Sequence, residues 1–578
     1  MRGRVTRARS ALSPRGALAL HSVDGALSFA LRAALAMALP AVPMALAGRA
    51  DQAVYTMLGS FATTFGRNLP YARRARVLAV VAVAMTACVA AGSVLGAWAR
   101  PQAGGAGAAV VMAVTALVAG LAKFACDAAR LSGLGAVMLL FSFAVAANGS
   151  PGPSDVLPHT ALTALGAAVA WLLAVAGRLV HPDRPQRVAV AAALRELAAL
   201  LEAIGAGEDD GLARHRATAA VLQAFRTIGR MPPTATERRD PARDDACVAL
   251  TDLSWSLLID SAHRQPADPA GLARSLRAQL RPLVSRRAGA LDSVPELTRL
   301  IANSRAGPPT PGDHAALGRA ASPAAERRAA ELVTGPDRRG HGRMRVLLVP
   351  ALRMVLGTGL AGGAALALGL GHGYWAAISA AAVLHSINVR TAAQRAVQRT
   401  LGTAAGLGLA LGVLALEPGP VALVLVIVLL EFLLEYVVAR NYGLGVVFLT
   451  PLALLLSDLA TPAPAGALVT DRALSSVLGI VVALLCALLV VHGHAAVRAE
   501  RALATCTAAC ALAERALTER ARSSYPTVQT RLAAAVVELR EADDAAAGEL
   551  WPAEVDPTAL AAAEQRAHRL LDRLVRGH

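Results

Sequence analysis

Two sets of six apolar runs, separated by a charged middle, constrain this chain more than any other feature. The first set covers about 26–47, 53–66, 77–98, 106–126, 131–147 and 157–180. The second covers about 346–370, 373–388, 399–416, 421–439, 442–459 and 471–492. Several runs approach the roughly 20 apolar residues needed to cross a hydrocarbon layer of about 30 Å. Hydrophobic residues make up 55% of the 578, too many for a large soluble enzyme. The predicted fold class is therefore all-α: a polytopic membrane protein of about twelve crossings, with the lipid bilayer as its first partner. The run at 53–66 is short and carries Thr56, Ser60, Thr63 and Thr64, which predicts a tilted or partly buried helix.

Arginine sets the predicted orientation. Arg2, Arg4, Arg7, Arg9 and Arg15 precede the first run; Arg73, Arg74 and Arg76 fill one loop, Lys123 and Arg130 flank another, and Arg178, Arg184 and Arg187 follow the sixth run. The loops between these are poor in cations, as the positive-inside rule requires. In the second set Arg338, Arg339, Arg343 and Arg345 come first, Arg390, Arg395 and Arg399 fill the second loop, and Arg440 the fourth. Both termini are thus predicted in the cytoplasm of a cell-membrane protein. Arg472 breaks the alternation, and a local pair with Asp471 is one account of it. The net charge of +17 is topological on this reading, with no nucleic-acid partner: aromatics are only 3% and the arginines flank apolar runs.

Five segments follow: a basic tail at 1–25, a membrane block at 26–180, a helical cytosolic domain at 181–345, a second block at 346–492 and a helical C-terminal region at 493–578. Leu194, Leu197, Ala198 and Leu201 have the spacing of an amphipathic helix. Further helical patterns run to 313–333, with Pro/Gly punctuation at 307–312 and 335–342 and, in the tail, at Trp551-Pro552. Six cysteines lack CxxC spacing, and Cys506 and Cys510 are read as small core residues rather than metal ligands.

The two sets share short matches in the same order. A-R-L-S-G-L-G-A-V at 129–137 parallels A-R-N-Y-G-L-G-V-V at 439–447, and Ala161-Leu162-Thr163…Gly166 parallels Ala473-Leu474-Ser475…Gly479. An even number of crossings per set implies parallel repeats about an axis along the membrane normal.

Y-W-A-A-I-S at 374–379, the spaced Arg395, Arg399, Gly402, Thr403 and Gly406, R-N-Y-G-L-G-V-V-F-L-T at 440–450 and D-R-x-L…L-G at 471–479 resemble the fusaric acid resistance / aromatic acid exporter superfamily, of which plant malate channels are distant members. The likeness is strongest over 346–492. It implies two blocks of about six membrane helices, cytosolic helical regions and efflux of aromatic carboxylates. Some members of that family work with a periplasmic adaptor. Tyr374, Trp375, Gly402, Thr403, Gly406, Arg440 and Tyr442 carry the motifs.

Candidate residues follow from charge and place. Glu431 and Glu435 share one face of a helix deep in an apolar run, where a charge costs about 2.5–3.5 kcal/mol. They read either as proton-coupling carboxylates or as structural partners of a buried cation such as Lys123, which with Asp127 holds the corresponding place in the first set. Arg395 and Arg399, one turn apart, read as captors of an anionic substrate or as topology signals. Arg32 and Arg353 read as snorkelling anchors. Gly402, Gly406, Gly408 and Gly412 form a stripe suited to close packing. Asn441 and Tyr442 either start a helix or bond within a pore, and His385 and Asn388 end a short one. Tyr374 and Trp375 suit the membrane–water boundary.

No nucleotide, zinc-protease, serine-hydrolase or dinucleotide motif occurs, so neither an enzyme, a cofactor nor a metal is predicted. The leading expectation is secondary efflux of a small, anionic aromatic compound. The alternatives are a passive anion channel and a membrane scaffold whose cytosolic helices bind a partner; a homo-oligomer fits any of them.

Overall fold

A computed structural model describes residues 25–67, 69–129, 131, 135–149, 152–207, 210–229, 246–261, 266, 268–284, 341–386, 388–461, 464–489, 494–521, 524–547 and 556–576. The basic tail to residue 24, Arg130, the pattern at 313–333, the punctuation at 307–312 and Trp551-Pro552 lie outside them. Every regular element among the described residues is helical. In chain order these are α1 (Ala26–Leu46), α2 (Ala50–Ser60), α3 (Tyr71–Ala99), α4 (Gly105–Ala128), α5 (Gly135–Asn148) and α6 (Val156–Val180). Then come α7 (Arg184–Ala206), α8 (Gly211–Ile228), α9 (Ala246–Asp260), α10 (Pro269–Ala278) and α11 (Leu280–Val284). The rest are α12 (His341–Ala367), α13 (Tyr374–Leu384), α14 (Val389–Leu414), α15 (Pro420–Val437), α16 (Tyr442–Ala460), α17 (Ala465–Leu489), α18 (His494–Thr518), α19 (Tyr525–Ala547) and α20 (Pro557–Arg576).

Two compact units result. One contains α1–α6 and α12–α17. Among the described residues, nine of its helices are long and apolar enough to cross a membrane. Leucines stay outside where a soluble protein would bury them: Leu27, Leu31, Leu35 and Leu39 on α1, and Leu348, Leu352, Leu356 and Leu360 on α12. Four-residue spacing puts each quartet in one stripe, a surface that fits lipid rather than water.

The other three helices of this unit are short, and two of them are the second helix of each set, whose full crossing the sequence leaves open. α2 and α13 have 11 residues and α5 has 14. At 1.5 Å per residue an 11-residue helix reaches about 17 Å, half the hydrocarbon layer. All of α13 is buried, as is nearly all of α2 and α5. They are short helices inside the protein, where non-spanning backbone at membrane depth is tolerated. This also corrects Tyr374 and Trp375: both sit in the core on α13, 6% and 2% exposed, rather than at a water boundary.

The pairings have one order in both sets. α3 packs on α5 and α6, and α2 on α6; α14 packs on α16 and α17, and α13 on α17. Across the sets, α1 lies on α15 and α12 on α4, the first helix of each on the fourth of the other.

The second unit joins α7–α11 to α18–α20 around one apolar core. Leu194, Leu197, Ala198 and Leu201 are fully buried there, on the stripe their spacing predicts. Cys506 and Cys510 are also core residues.

Candidate functional site

The short helix α13 is the centre of the candidate site. A helix ending inside the protein leaves carbonyls that need donors. Arg353 of α12 donates to the Leu384 and Ser386 carbonyls at 3.1 and 2.7 Å, and Arg395 of α14 to Ala382 at 3.4 Å. Arg353 is thus turned into the protein rather than outward as an anchor. Asn388 starts α14 through a capping box with Thr391, and Asn441 starts α16 by accepting from the Leu444 amide. Of the two readings for Asn441, the cap is the one its contacts support.

Next to these structural arginines are two of a different kind. Arg399 of α14 is 1% exposed. It donates to the Ser379 hydroxyl of α13 and the Tyr442 hydroxyl of α16, each at 3.3 Å. Arg472 of α17 is also 1% exposed, and its Cζ lies over the Trp375 ring, 3.7 Å from its centroid. Trp375 and Ser379 are one turn apart on α13, so both guanidinium groups lie along one stretch of it. They are close enough to act electrostatically on each other. Among the described residues, Arg399 Nε and Arg472 Nε and Nη1 have no hydrogen-bond partner. The buried hydroxyls of Thr403, Ser475 and Ser476, one turn from these arginines, have none either. Arg395 lies over the Tyr442 ring at 5.2 Å, so Tyr442 stands between Arg395 and Arg399.

The expected local pair of Asp471 with Arg472 is not formed. Asp471 instead holds His372 Nδ1 at 2.9 Å, and Arg472 points into the core. Successive helical residues point about 100° apart, so neighbours in sequence cannot share a face. The Tyr374 ring lies tilted beside Trp375 at 4.8 Å, and its hydroxyl shares a hydrogen bond with Ser457 at 3.4 Å; Phe141 of α5 meets Trp375 at 5.9 Å. Arg472 had a signal in the sequence: a cation where the arginine alternation forbids one. Ser379 had only its place at the end of Y-W-A-A-I-S, and Ser475 only its place in the internal repeat.

Close packing sets the α13–α17 geometry. A Cβ on Gly479 would lie 2.3 Å from the Ala376 carbonyl oxygen. The first set has the same construction with a histidine in the arginine's place. A Cβ on Gly166 would lie 1.9 Å from the Thr56 carbonyl oxygen, and seven residues earlier His159 stacks on Tyr55 at 3.5 Å. Half of the expected glycine stripe is packed: Gly402 and Gly406 meet Val446 and Thr450 of α16, whereas nothing lies within 4 Å of Gly408 or Gly412. Alanine at 408 and 412 is therefore expected to leave the melting temperature unchanged or raised, since glycine inside a helix is about 1 kcal/mol worse than alanine. Thermal denaturation in detergent checks this.

The carboxylates lie elsewhere. Lys123 pairs with Asp127 at 2.7 Å on its own helix, not with Glu431 or Glu435. The cations acting on Glu435 are Arg32 of α1 and Arg67 of the turn before α3. Arg32 and Arg67 both lie over the Phe29 ring, and Arg440 over Tyr436 at 4.1 Å.

Residues 360–486 match the family model described as fusaric acid resistance protein-like. The chain is 26% identical over 494 residues to the uncharacterized membrane protein YvaC of Bacillus subtilis (strain 168), covering 81% of this chain and 73% of that protein. No solved structure matches. With nine apolar helices of spanning length among the described residues, this is a multi-pass membrane protein, consistent with a transporter.

Proposed function

We propose that this chain, whose residues 360–486 form a fusaric acid resistance protein-like domain, exports small aromatic carboxylates across the cell membrane. One observation carries the reading. Two guanidinium groups are buried to 1% exposure with donors left over, and one of them lies on an indole ring. A charge taken out of water costs several kcal/mol unless it is paired. A carboxylate supplies that pairing, and the planar fork of arginine suits it in a bidentate manner. Trp375, Tyr374 and Phe141 offer faces and edges to an aromatic ring next to the bound carboxylate.

The arginines give the path its order. On this reading Arg395 stands at the cytoplasmic mouth, which the cations near the start of α14 support. Arg399 lies about 6 Å further along α14 and Arg472 beyond Trp375. An anion advances by exchanging one guanidinium for the next, and the Asp471 carboxylate marks the outer end of the row. Orientation with cytoplasmic termini, and export rather than uptake, belong to this proposal. The matching pairings of the two helix sets support reading them as parallel repeats of which only the second has the two arginines.

Liposomes containing the purified full chain and loaded with radiolabelled benzoate test it. Release at least ten times faster than from protein-free liposomes, and much faster than release of acetate, is expected. Benzoate release no faster than without protein would overturn the reading. Electrical conductance with no response to a proton gradient would make it a passive channel.

A further inference from the structure

The α1–α15 and α4–α12 interfaces occupy the same place in the two halves, but their buried charges differ. At α4 the charges cancel within one helix, Lys123 on Asp127 at 2.7 Å. At α15 there are two acids, Glu431 at 1% and Glu435 at 4% exposure, one turn apart on one face. Arg32 and Arg67 act on Glu435, the carboxyl nearer the end of α15. The charged group acting on Glu431 is Glu435 itself, a like charge. Glu431 Oε2 has no hydrogen-bond partner among the described residues. Two carboxylates this close in a dry site cannot both stay ionised. A proton on Glu431 removes both the repulsion and the desolvation cost. The other titratable groups on helices packed against α15 are engaged elsewhere: Tyr442 by Arg395 and Arg399, and Tyr55 by His159 and the charges of Asp51 and Asp155. Asp458 also has a partner.

We propose that Glu431 and Glu435 form the proton-binding site that drives export, resting on the transport reading above. A proton arriving from outside protonates the Glu431 carboxylate. It passes to Glu435 as the O–H bond on Glu431 breaks, and leaves to the cytoplasm by the Arg32–Arg67 end. The site is separate from the anion path, yet α15 leads through the 438–441 turn directly to Tyr442, which touches both path arginines. Movement of α15 on proton binding is therefore transmitted to the anion site.

The test uses the full chain in liposomes, with benzoate as probe. Counterflow exchange needs the anion path but no gradient; uphill accumulation needs both. Glu431→Gln, isosteric with the protonated acid, is expected to keep counterflow within about twofold of wild type and to lose pH-gradient-driven accumulation at least tenfold. Uphill accumulation equal to wild type in E431Q overturns the coupling site. Loss of counterflow along with accumulation overturns it too, because the residue then serves the anion path or the fold. Absence of counterflow in wild type overturns the transport reading instead. An infrared difference titration of the detergent-purified protein is independent of transport. A protonated-carboxyl band at neutral pH, lost in E431Q, is expected; no such band in wild type contradicts the proposal.

Discussion

Replacing Arg472 with methionine is expected to abolish benzoate release and, in the same protein, to raise the melting temperature. The two effects share one cause. Arg472 is a nearly fully buried cation whose Nε and Nη1 have no partner among the described residues, and its main compensation is the Trp375 ring. A cation–π contact of this kind is worth about 2 kcal/mol when desolvated. That is less than the several kcal/mol that burying an ion costs. Replacing buried ionic groups by apolar ones of similar volume often stabilises by about 1–4 kcal/mol. Methionine fills the guanidinium's space against the indole, and its sulfur also favours an aromatic ring. A lower melting temperature with lost release would show that Arg472 holds the fold together. A raised one with normal release would show that the charge has no role in transport.

Gly479→Ala is expected to fail to give monodisperse protein in detergent, and Gly166→Ala likewise. The added methyl at Gly479 would stand 2.3 Å from the Ala376 carbonyl oxygen, and at Gly166 1.9 Å from that of Thr56. Both obstacles are backbone, which no rotamer change can clear, so α13 must move off α17 and α2 off α6. Overpacking costs about 1–3 kcal/mol where side chains can shift, and here the helices themselves must separate. The separation also pulls Trp375 from Arg472 and Tyr55 from His159. Size-exclusion profiles of both variants beside Gly408→Ala check this; normal profiles for all three would contradict the packing argument.

The sequence makes the helices legible because lipid demands long apolar runs, and nine of the twelve runs became helices of spanning length. Of the three short helices, α2 is legible from its short, Thr/Ser-bearing run, whereas α13 and α5 are hidden, because burial inside a protein and burial in lipid select the same apolar residues. Tyr374 and Trp375 show the point: an amphipathic ring suits a membrane boundary, but α13 places both in the core. Arg399 was legible as a candidate by its position one turn past Arg395. Arg472 was visible only as an exception to charge alternation, and its neighbour Asp471 suggested a pairing that helix geometry forbids. The partner of Glu435 was misplaced for a related reason. Lys123 shares the rank of its helix with Glu431, but α15 lies against α1, not α4, so the nearby cations are Arg32 and Arg67. Which helix faces which is a tertiary fact that spacing along one chain does not encode.

On the proposed function, Arg399 and Arg472 together bind an aromatic carboxylate inside the second membrane block. Equilibrium binding of radiolabelled benzoate to the detergent-purified full chain tests it most directly, with wild type beside the R399Q/R472Q double variant. Saturable binding by wild type and at least a tenfold loss of affinity in the double variant is the predicted result. Equal affinity in the two proteins would contradict it.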